Sequence, residues 1–234
     1  MTDNNSAMVL FSGGQDSAIC LAWALNQFER VETVGFDYGQ RHYVEMDCRP
    51  GLRNQISKEF PIWGERLCED HIIDTRFISN LGETAMTHEI EIAIAEGGLP
   101  STFVPGRNLI FLSAAASLAY QRDITTLVGG MCETDYSGYP DCRRGTIDAQ
   151  EKALSLGLNQ KIRIATPLMS LDKAATWALA AELGGEKMVD IIIEYTHTCY
   201  VGERGLRHAW GYGCGNCPAC ELRANGYLLF RSSP

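Results

Sequence analysis

The chain has 234 residues, of which 45% are apolar and 21% charged, and its 20 basic and 29 acidic residues give a net charge of −9. This length and composition are typical of a globular protein with one large domain, or with one domain and a small appendage. No apolar run approaches the roughly 18 residues that a membrane helix needs, and the first residues carry no signal-peptide pattern. Because the net negative charge disfavours tight binding to phosphate backbones, we expect a soluble cytoplasmic protein with small-molecule partners, no membrane association and no stable nucleic-acid binding.

Strand-like and helix-like segments alternate along the chain. The apolar segments that predict strands are 8–11, 31–36, 67–73, 124–129 and 162–165. The segments with helical periodicity are 17–28, 43–60, 107–121, 147–156 and 171–183. An acidic stretch at about 83–100 breaks this rhythm and predicts an exposed amphipathic insertion. The alternation predicts a doubly wound α/β fold, with a mostly parallel sheet covered by helices on both faces.

The first motif is the loop at residues 12–17, which has the sequence SGGQDS and lies between the first strand and the first helix. Its two glycines allow a tight turn that brings backbone N–H groups close to an anion. The N-terminus of the following helix adds about half a positive charge, and Ser12 and Ser17 add hydroxyl donors. The loop lacks the GK[ST] ending of a Walker A loop and the spacing of a GxGxxG motif. It predicts a phosphate or pyrophosphate site, and the plain alternative is a serine-capped Gly-Gly turn.

This loop resembles the SGGxDS loop of the ATP-pyrophosphatase (PP-loop) superfamily, whose members cleave ATP between the α and β phosphates to adenylate an oxygen. The resemblance implies an adenine nucleotide alpha hydrolase-like fold. The ATP-binding residues that it implies are Phe11, Ser12, Gly13, Gly14, Gln15, Asp16, Ser17, Ala18, Ile19, Cys20 and Leu21. Ala18 departs from the hydroxyl residue expected there, which removes one phosphate contact. A carboxylate beside a polyphosphate favours Mg2+, so Asp16 is predicted to hold this ion directly or through water.

Four of the nine cysteines lie close together near the C-terminus: Cys199, Cys214, Cys217 and Cys220. The last three have C-x2-C-x2-C spacing, and four thiolates are the usual ligands of a closed, structural zinc site. We therefore predict a zinc-binding C-terminal region, 196–234, packed on a PP-loop domain, 1–195. An iron–sulfur cluster is the alternative, although the ferredoxin spacing that would follow Cys220 is missing. His197 and His208 are extra ligands that a four-cysteine site does not need.

Polar residues follow several of the predicted strands, where open α/β sheets bind their ligands. Arg107 either forms an ion pair in the first turn of its helix or presents a planar guanidinium to a carboxylate or phosphate. Lys173 is either solvated or a phosphate ligand. Asp135, Tyr139 and Asp141 are either turn residues or contacts for a purine-like base, with carboxylates at its N–H edge and an aromatic ring on its flat face.

The motifs DYGQRH, FVPGRN, DYSGYPDCR, TPL, LDK, THTCY and CGNCPAC follow the loop in this order. The set, from Val9 to Arg223, resembles the 7-cyano-7-deazaguanine synthase family of the queuosine pathway. The resemblance implies a carbon–nitrogen ligase that converts 7-carboxy-7-deazaguanine and ammonium to a nitrile, adenylating first the acid and then the amide with ATP and Mg2+. The catalytic residues that it implies are Asp16, Arg107 and Lys173. The substrate-binding residues that it implies are Asp37, Arg107, Asn108, Asp135, Tyr139 and Asp141.

Three other functions compete with this interpretation. A tRNA-thiolating PP-loop enzyme would need a persulfide-carrying cysteine, for which only Cys132 or Cys142 is suitably placed. A zinc-ribbon protein that binds RNA would need a basic face, and Arg204, Arg207 and Arg223 lie near the cysteines. A specialised relative would pass a deazaguanine to another acceptor. A chain of 234 residues has no room for a glutaminase domain, so nitrogen is expected to arrive as free ammonium, and a homodimer is compatible with the sequence.

Overall fold

The computed structural model describes residues 5–93, 98–134 and 138–232. Its main sheet has five parallel strands in the order β3-β2-β1-β4-β5. The strands are β1 Ser6–Leu10, β2 Arg30–Asp37, β3 Leu67–Asp74, β4 Thr126–Val128 and β5 Arg163–Ala165. The chain runs outward from β1 to β3 and then returns to β4 on the other side of β1. The connections after β1 and β4 therefore lead to opposite faces of the sheet, which opens a crevice at its C-terminal edge.

Helices cover both faces of this sheet. They are α1 Gln15–Gln27, α2 Val44–Glu59, α3 Pro61–Arg66, α4 Arg107–Gln121, α5 Arg144–Gly157, α6 Lys173–Tyr195 and α7 Pro218–Ser232. Successive side chains of a strand point to opposite faces, so Val9 packs with Trp177 in the core under α1 and α6, whereas Met8 packs with Leu112 under α4. No helix in the described part of the chain is long and apolar enough to cross a membrane. The predicted doubly wound α/β fold is confirmed.

The predicted strands and helices are all present, but the end of α6 differs from the prediction. Asp172 caps this helix by accepting a hydrogen bond from the N–H of Ala175 at 2.8 Å. The helix was expected to end at 183, before two glycines, yet it continues to Tyr195. Gly185 interrupts the helical backbone with φ of 64° and ψ of −164°. The helix resumes beyond this kink because residues such as Ile192 are fully buried in the same core. Helices α3 and α7 were not predicted.

The acidic stretch at 83–100 is less exposed than predicted. Its described residues form turns and no helix, and Ala85 is 2% exposed. The N–H of Arg41 donates to the carbonyl oxygen of Met86 at 2.7 Å, which joins this stretch to the loop after β2. The stretch therefore packs against the C-terminal edge of the sheet instead of projecting into solvent along its whole length.

The C-terminal segment packs on α6. The ring of Tyr227 in α7 meets Trp177 of α6 edge-on, with centroids 5.2 Å apart. Arg223 is 1% exposed and donates to the carbonyl oxygens of Trp210 and Ile192 at 2.9 and 3.0 Å. A two-stranded antiparallel sheet, β6 Arg207–His208 and β7 Gly211–Tyr212, lies between α6 and α7 in the chain. The domain boundary predicted at 195 coincides with the end of α6 and stays a prediction.

Glu32 is a fully buried carboxylate of β2 that three basic side chains surround. Arg122 donates to its two oxygens at 2.8 and 2.9 Å, Nε2 of His71 lies 2.7 Å from Oε2, and Arg30 also donates to it. Burial raises the pKa of this carboxyl, but the hydrogen bonds outweigh burial and lower the pKa from 4.5 to about 2. The network ties β2 to β3 and to the end of α4.

We expect Glu32→Gln to destabilise the folded chain by about 3 kcal/mol near neutral pH, because it leaves basic groups without their anion. The pKa of this carboxyl is lower in the folded than in the unfolded chain, so its stabilisation is complete above about pH 5 and is lost as the pH falls toward about 2. Urea unfolding of both proteins at several pH values measures this difference. Glu65→Gln, at an exposed position of α3, is the control. A difference that does not shrink in acid would contradict the assignment.

Candidate active site and four-cysteine centre

The loop at residues 12–17 lies in the crevice between the ends of β1 and β4. Gly130, after β4, approaches the loop so closely that a β-carbon added to it would lie 3.3 Å from Cβ of Asp16. Helix α1 begins inside the loop at Gln15, so its N-terminus lies at the crevice. Helix N-termini attract anions because unpaired N–H groups and the helix dipole both favour negative charge.

Polar contacts hold the loop in a compact turn. The hydroxyl of Ser17 accepts a hydrogen bond from the N–H of Gly13 at 3.2 Å and donates to the carbonyl oxygen of Gly14 at 3.0 Å. The hydroxyl of Ser12 donates to that of Ser17 and accepts from the N–H of Gly14, both at 3.2 Å. The two serines therefore stabilise the turn from within, in addition to their predicted role as phosphate donors.

Helix α2 lies against the loop, and this contact explains both glycines. Gly13 has a φ of +99°, and a β-carbon there would lie 2.1 Å from the carbonyl oxygen of Glu45. A β-carbon on Gly14 would lie 2.4 Å from Oε1 of Glu45. The Glu45 carboxylate therefore lies directly against the loop at Gly14. Sequence reasoning missed Glu45, because nothing in the polar pattern of α2 distinguishes it from its acidic neighbour Asp47.

A cavity of about 350 Å3 opens beside the loop. The predicted catalytic, ATP-binding and substrate-binding residues that line it are Phe11, Ser12, Gln15, Asp16, Ser17, Arg107, Asn108, Tyr139 and Lys173. Other lining residues had no individual role in the sequence prediction, among them Tyr38, His42, Glu45, Met86 and Phe111. A concave volume of this size, with aromatic walls and a few polar groups, is typical of a small-molecule site.

Asp16 and Lys173 form an ion pair in the lining of this cavity. Nζ of Lys173 lies 3.0 and 2.9 Å from the two carboxylate oxygens of Asp16. The lysine side chain is 9% exposed and the aspartate side chain 30% exposed, so solvent screens this pair less than a surface pair. The fold thus brings together two predicted catalytic residues from the first turns of α1 and α6.

Arg107, at the start of α4, packs against Tyr38 at the end of β2. The centre of its guanidinium lies 5.6 Å from the centroid of the Tyr38 ring. Burial lowers the pKa of Arg107, but interactions with Tyr38, Tyr139 and Asp141 outweigh burial and raise the pKa above its usual value. The cavity therefore contains a charged, planar fork that can bind a carboxylate or phosphate through two hydrogen bonds.

Two of the predicted substrate-binding residues that the structure describes, Asp37 and Asp141, do not line the cavity. Oδ1 of Asp37 accepts the N–H of Gly39 at 3.2 Å, in the turn after β2. Asp141 is 5% exposed, and its Oδ2 accepts the N–H of Asn108 at 3.0 Å, which fixes the start of α4. Asp135 lies outside the described residues. The carboxylates of Asp37 and Asp141 therefore bind backbone N–H groups beside the cavity.

The predicted ATP-binding residues of α1 lie behind the loop. Ala18, Ile19, Cys20 and Leu21 are fully buried in the core. Burial raises the pKa of the Cys20 thiol, so this side chain is an uncharged core residue. Ala18 stands where the family resemblance leads us to expect a hydroxyl residue. Its side chain packs in the core and not in the cavity lining, so this replacement does not change the lining.

Two histidines lie near the cysteines. His197 is 2% exposed and lines the cavity, and burial lowers its pKa to about 4, so its imidazole is neutral. Neither ring nitrogen has a hydrogen-bond partner among the described residues, and its backbone N–H donates to the carbonyl oxygen of Gly13 at 3.3 Å. His208 stacks on Trp210 with centroids 4.6 Å apart, and its Nε2 lies 2.9 Å from the carbonyl oxygen of Gly213.

The four C-terminal cysteines converge, as predicted. The sulfur atoms of Cys199, Cys214, Cys217 and Cys220 all lie within 4.8 Å of one another. The distance is 3.9 Å between Cys214 and Cys220 and 4.0 Å between Cys199 and Cys217. Gly213 leaves space for the cluster, since a β-carbon there would lie 2.6 Å from the sulfur of Cys220. The cluster could therefore hold a metal ion.

The three arginines near the cysteines bind groups of the protein. Arg204 donates to the carbonyl oxygens of Thr196 and Glu194 at 3.0 and 2.9 Å. Arg207 pairs with the carboxylate of Glu194. Arg223 is buried between α6 and α7. The basic face that an RNA-binding zinc ribbon would need is therefore not formed by these three side chains.

The fold and the site together define a class of protein. The chain is a doubly wound α/β protein whose SGGQDS loop lies at the switch point of a parallel sheet, beside a cavity with a charged lysine and arginine. A four-cysteine cluster lies in its C-terminal segment. These are the features expected of a PP-loop protein with a metal-binding C-terminal region.

Comparison with known proteins identifies the family. Residues 6–231 match the model of the family described as queuosine biosynthesis protein QueC. A 7-cyano-7-deazaguanine synthase of Hyphomonas neptunium is 66% identical over 95% of this chain and 93% of its own length. A synthase of the same name from Maricaulis maris is 62% identical over 98% of this chain and 95% of its own length. One from Caulobacter vibrioides is 60% identical over 97% of this chain and 93% of its own length. The chain belongs to the queuosine biosynthesis protein QueC family, which confirms the resemblance found in its motifs.

Proposed function

We propose that this chain is a 7-cyano-7-deazaguanine synthase, a carbon–nitrogen ligase of queuosine biosynthesis. It converts 7-carboxy-7-deazaguanine and ammonium to the nitrile, with one ATP used to adenylate the acid and a second to adenylate the amide. The observation that carries the proposal is the placement of the SGGQDS loop, the Asp16–Lys173 pair and Arg107 around one cavity. The 60 to 66% identity to relatives of this name supports it.

In this proposal the loop binds the phosphates of ATP. Its N–H groups and the N-terminus of α1 stabilise the charge that develops at the α phosphate and on pyrophosphate. Lys173, held in place by Asp16, adds a positive charge beside them. Mg2+ prefers hard oxygen ligands, and the partly exposed carboxylate of Asp16 fits this preference. When bound, the ion would neutralise charge on the leaving pyrophosphate.

The two adenylations follow from the chemistry of the carboxyl carbon. A carboxylate is a poor electrophile, so its oxygen attacks the α phosphate, releasing pyrophosphate and leaving an acyl adenylate. Ammonia then forms the C–N bond and AMP leaves, which gives the amide. The amide oxygen attacks the α phosphate of a second ATP and releases pyrophosphate, and loss of AMP and of both N–H protons closes the triple bond. Arg107 orients the substrate carboxylate through its planar guanidinium.

The deazaguanine base binds next to Arg107. Tyr139 and Asn108 line the cavity there, and the Tyr139 ring offers a flat face on which the base stacks. Asp141 and Asp37 act indirectly, because they hold the start of α4 and the turn after β2. Asp135 keeps its predicted role as an acceptor for an N–H edge of the base.

We further propose that the four-cysteine cluster holds a structural zinc ion. A tetrahedral zinc with sulfur ligands at about 2.3 Å separates its sulfurs by about 3.8 Å. The distances of 3.9 and 4.0 Å between pairs of sulfurs fit this geometry. Four protein ligands leave no position for water, so the ion would be structural and would cross-link the region 196–234 from within. None of the nine cysteines, all of which lie in the described part of the chain, forms a disulfide, which suits the reducing cytoplasm proposed for the chain.

A tRNA-thiolating enzyme is the second candidate, because Cys132 and Cys142 both line the cavity. The sulfur of Cys132 lies 3.2 Å from the carbonyl oxygen of Leu171, and that of Cys142 lies 3.2 Å from Nδ2 of Asn108. We favour the synthase, since the relatives carry that name. Transfer of sulfur to tRNA in place of nitrile formation would reverse this preference.

The purified protein tests the proposal when it is incubated with ATP, Mg2+, 7-carboxy-7-deazaguanine and ammonium. We expect AMP, pyrophosphate and the nitrile, which chromatography and mass spectrometry identify. Without ammonium, no nitrile should form. Formation of ADP and phosphate, or the absence of nitrile with all components present, would contradict the proposed function.

A further inference from the structure

The described lining of the cavity contains two carboxylates, Asp16 and Glu45. Both oxygens of Asp16 are bound by Lys173. Glu45 instead lies against the loop itself, with its Oε1 next to the backbone of Gly14. The N–H of Gly14 is a predicted phosphate donor, so the carboxylate of Glu45 lies where the phosphates of ATP are proposed to bind.

The surroundings of Glu45 suit a group that gains and loses a proton. Burial raises the pKa of this carboxyl above its usual value, the neighbouring Ser12 hydroxyl and the charge of Arg107 lower it, and the charge of Asp16 raises it. A general base is most effective when its pKa lies near the working pH. The tight contact of α2 with Gly13 holds the backbone of Glu45 in place.

The proposed reaction needs a base at this position. Ammonium has no lone pair, so it must lose a proton before its nitrogen can attack the acyl adenylate. A phosphate brought next to Glu45 would place two negative charges side by side, and a small cation between them would be stabilised. Ammonium is such a cation, and it is a substrate of the proposed reaction.

We propose that Glu45 is the catalytic residue that binds ammonium beside the acyl adenylate and takes a proton from it. This inference rests on the proposed function. Glu45 accepts one proton, and the nitrogen lone pair forms the C–N bond to the carboxyl carbon. The C–O bond to AMP breaks and its electron pair leaves with the AMP phosphate. The nitrogen releases a second proton to water to become the neutral amide, and Glu45 returns its proton to water.

Glu45→Gln separates the ammonia step from adenylation. Glutamine keeps the size and polarity of the side chain next to Gly14, but its amide cannot take a proton. In the absence of ammonium, we expect the rate of pyrophosphate release from ATP and the acid in the first turnover to stay within about threefold of the rate of the unchanged protein. We expect amide and nitrile formation from ammonium to fall by at least about a hundredfold. Glu45→Asp, which keeps a carboxylate, should recover part of this rate.

Hydroxylamine provides the decisive comparison, because it carries a free lone pair near neutral pH. Both the unchanged protein and Glu45→Gln should convert the acyl adenylate to a hydroxamate at similar rates. Asp47→Asn, at an exposed carboxylate of the same helix, is the matched control and should behave like the unchanged protein.

Three results would overturn the inference: loss of pyrophosphate release in Glu45→Gln, an unchanged rate with ammonium, or an equal loss with hydroxylamine. The first would assign Glu45 to ATP binding. Failure of the unchanged protein to release pyrophosphate would instead overturn the proposed function, and the inference with it.

Discussion

Asp16→Asn is expected to lower the formation of AMP from ATP and the acid by about a hundredfold to a thousandfold, the scale of losing a charge-stabilising group at a reacting centre. The substitution removes the charge that holds Lys173 in the cavity lining and the oxygen proposed to hold Mg2+. Quenched time courses with labelled ATP measure the loss. The fold should persist, because asparagine keeps one acceptor for Lys173, and circular dichroism and thermal unfolding check this.

Asp148→Asn is the matched control for this prediction. Asp148 accepts a hydrogen bond from Arg144 at 3.0 Å on α5 and lies outside the cavity lining. Arg144 and Asp148 form an exposed ion pair, so removing it should change the free energy of unfolding by less than about 1 kcal/mol and leave AMP formation unchanged. Normal turnover by Asp16→Asn would show that the loop does not have the role proposed for it.

Cys220→Ser is expected to release the metal and to destabilise the C-terminal region severely. Cys220 is fully buried in the cluster. The ligands of a structural zinc are not assembled in the unfolded chain, so binding free energies of about 10 to 16 kcal/mol in small zinc domains contribute directly to folding. Elemental analysis should find one zinc per chain, and less than half of that in the variant. A chelator should lower the melting temperature of the unchanged protein.

Cys68→Ser is the control for the cluster, since Cys68 is a partly buried thiol outside it. Its metal content and unfolding should match those of the unchanged protein. Iron with a visible charge-transfer band, or a folded protein without any metal, would contradict the assignment of zinc.

The parts of the molecule that depend on local pattern were predictable from the sequence. Buried strands such as β1 and β2 are marked by apolar runs, and the loop at 12–17 is marked by adjacent glycines between a strand and a helix. The four cysteines were recognisable because C-x2-C spacing is typical of thiolate ligands in a structural metal site. These features follow from short-range chemistry, and the structure has all of them.

The parts that depend on distant contacts were not predictable in this way. Gly184 and Gly185 indicate a helix end, but burial of Ile192 carries α6 onward to Tyr195. Tertiary packing overrides a local signal of about 1 kcal/mol per glycine. Glu45 becomes part of the site only because α2 folds back onto the loop.

The substrate contacts show the same limit. Asp37 and Asp141 follow strands or turns at the correct edge of the sheet, as predicted, yet their carboxylates hold backbone N–H groups instead of lining the cavity. A residue type and a position at a strand end do not determine the direction of a side chain. That direction depends on which N–H groups the surrounding turns leave unpaired.

The stoichiometry of AMP against nitrile, measured with independently prepared amide, tests the central claim most directly. If one site adenylates the acid and then the amide, the amide should yield nitrile with one AMP per turnover. The acid should yield nitrile with two AMP per turnover and a transient amide. Rejection of the amide, or a single AMP for each nitrile made from the acid, would contradict the mechanism.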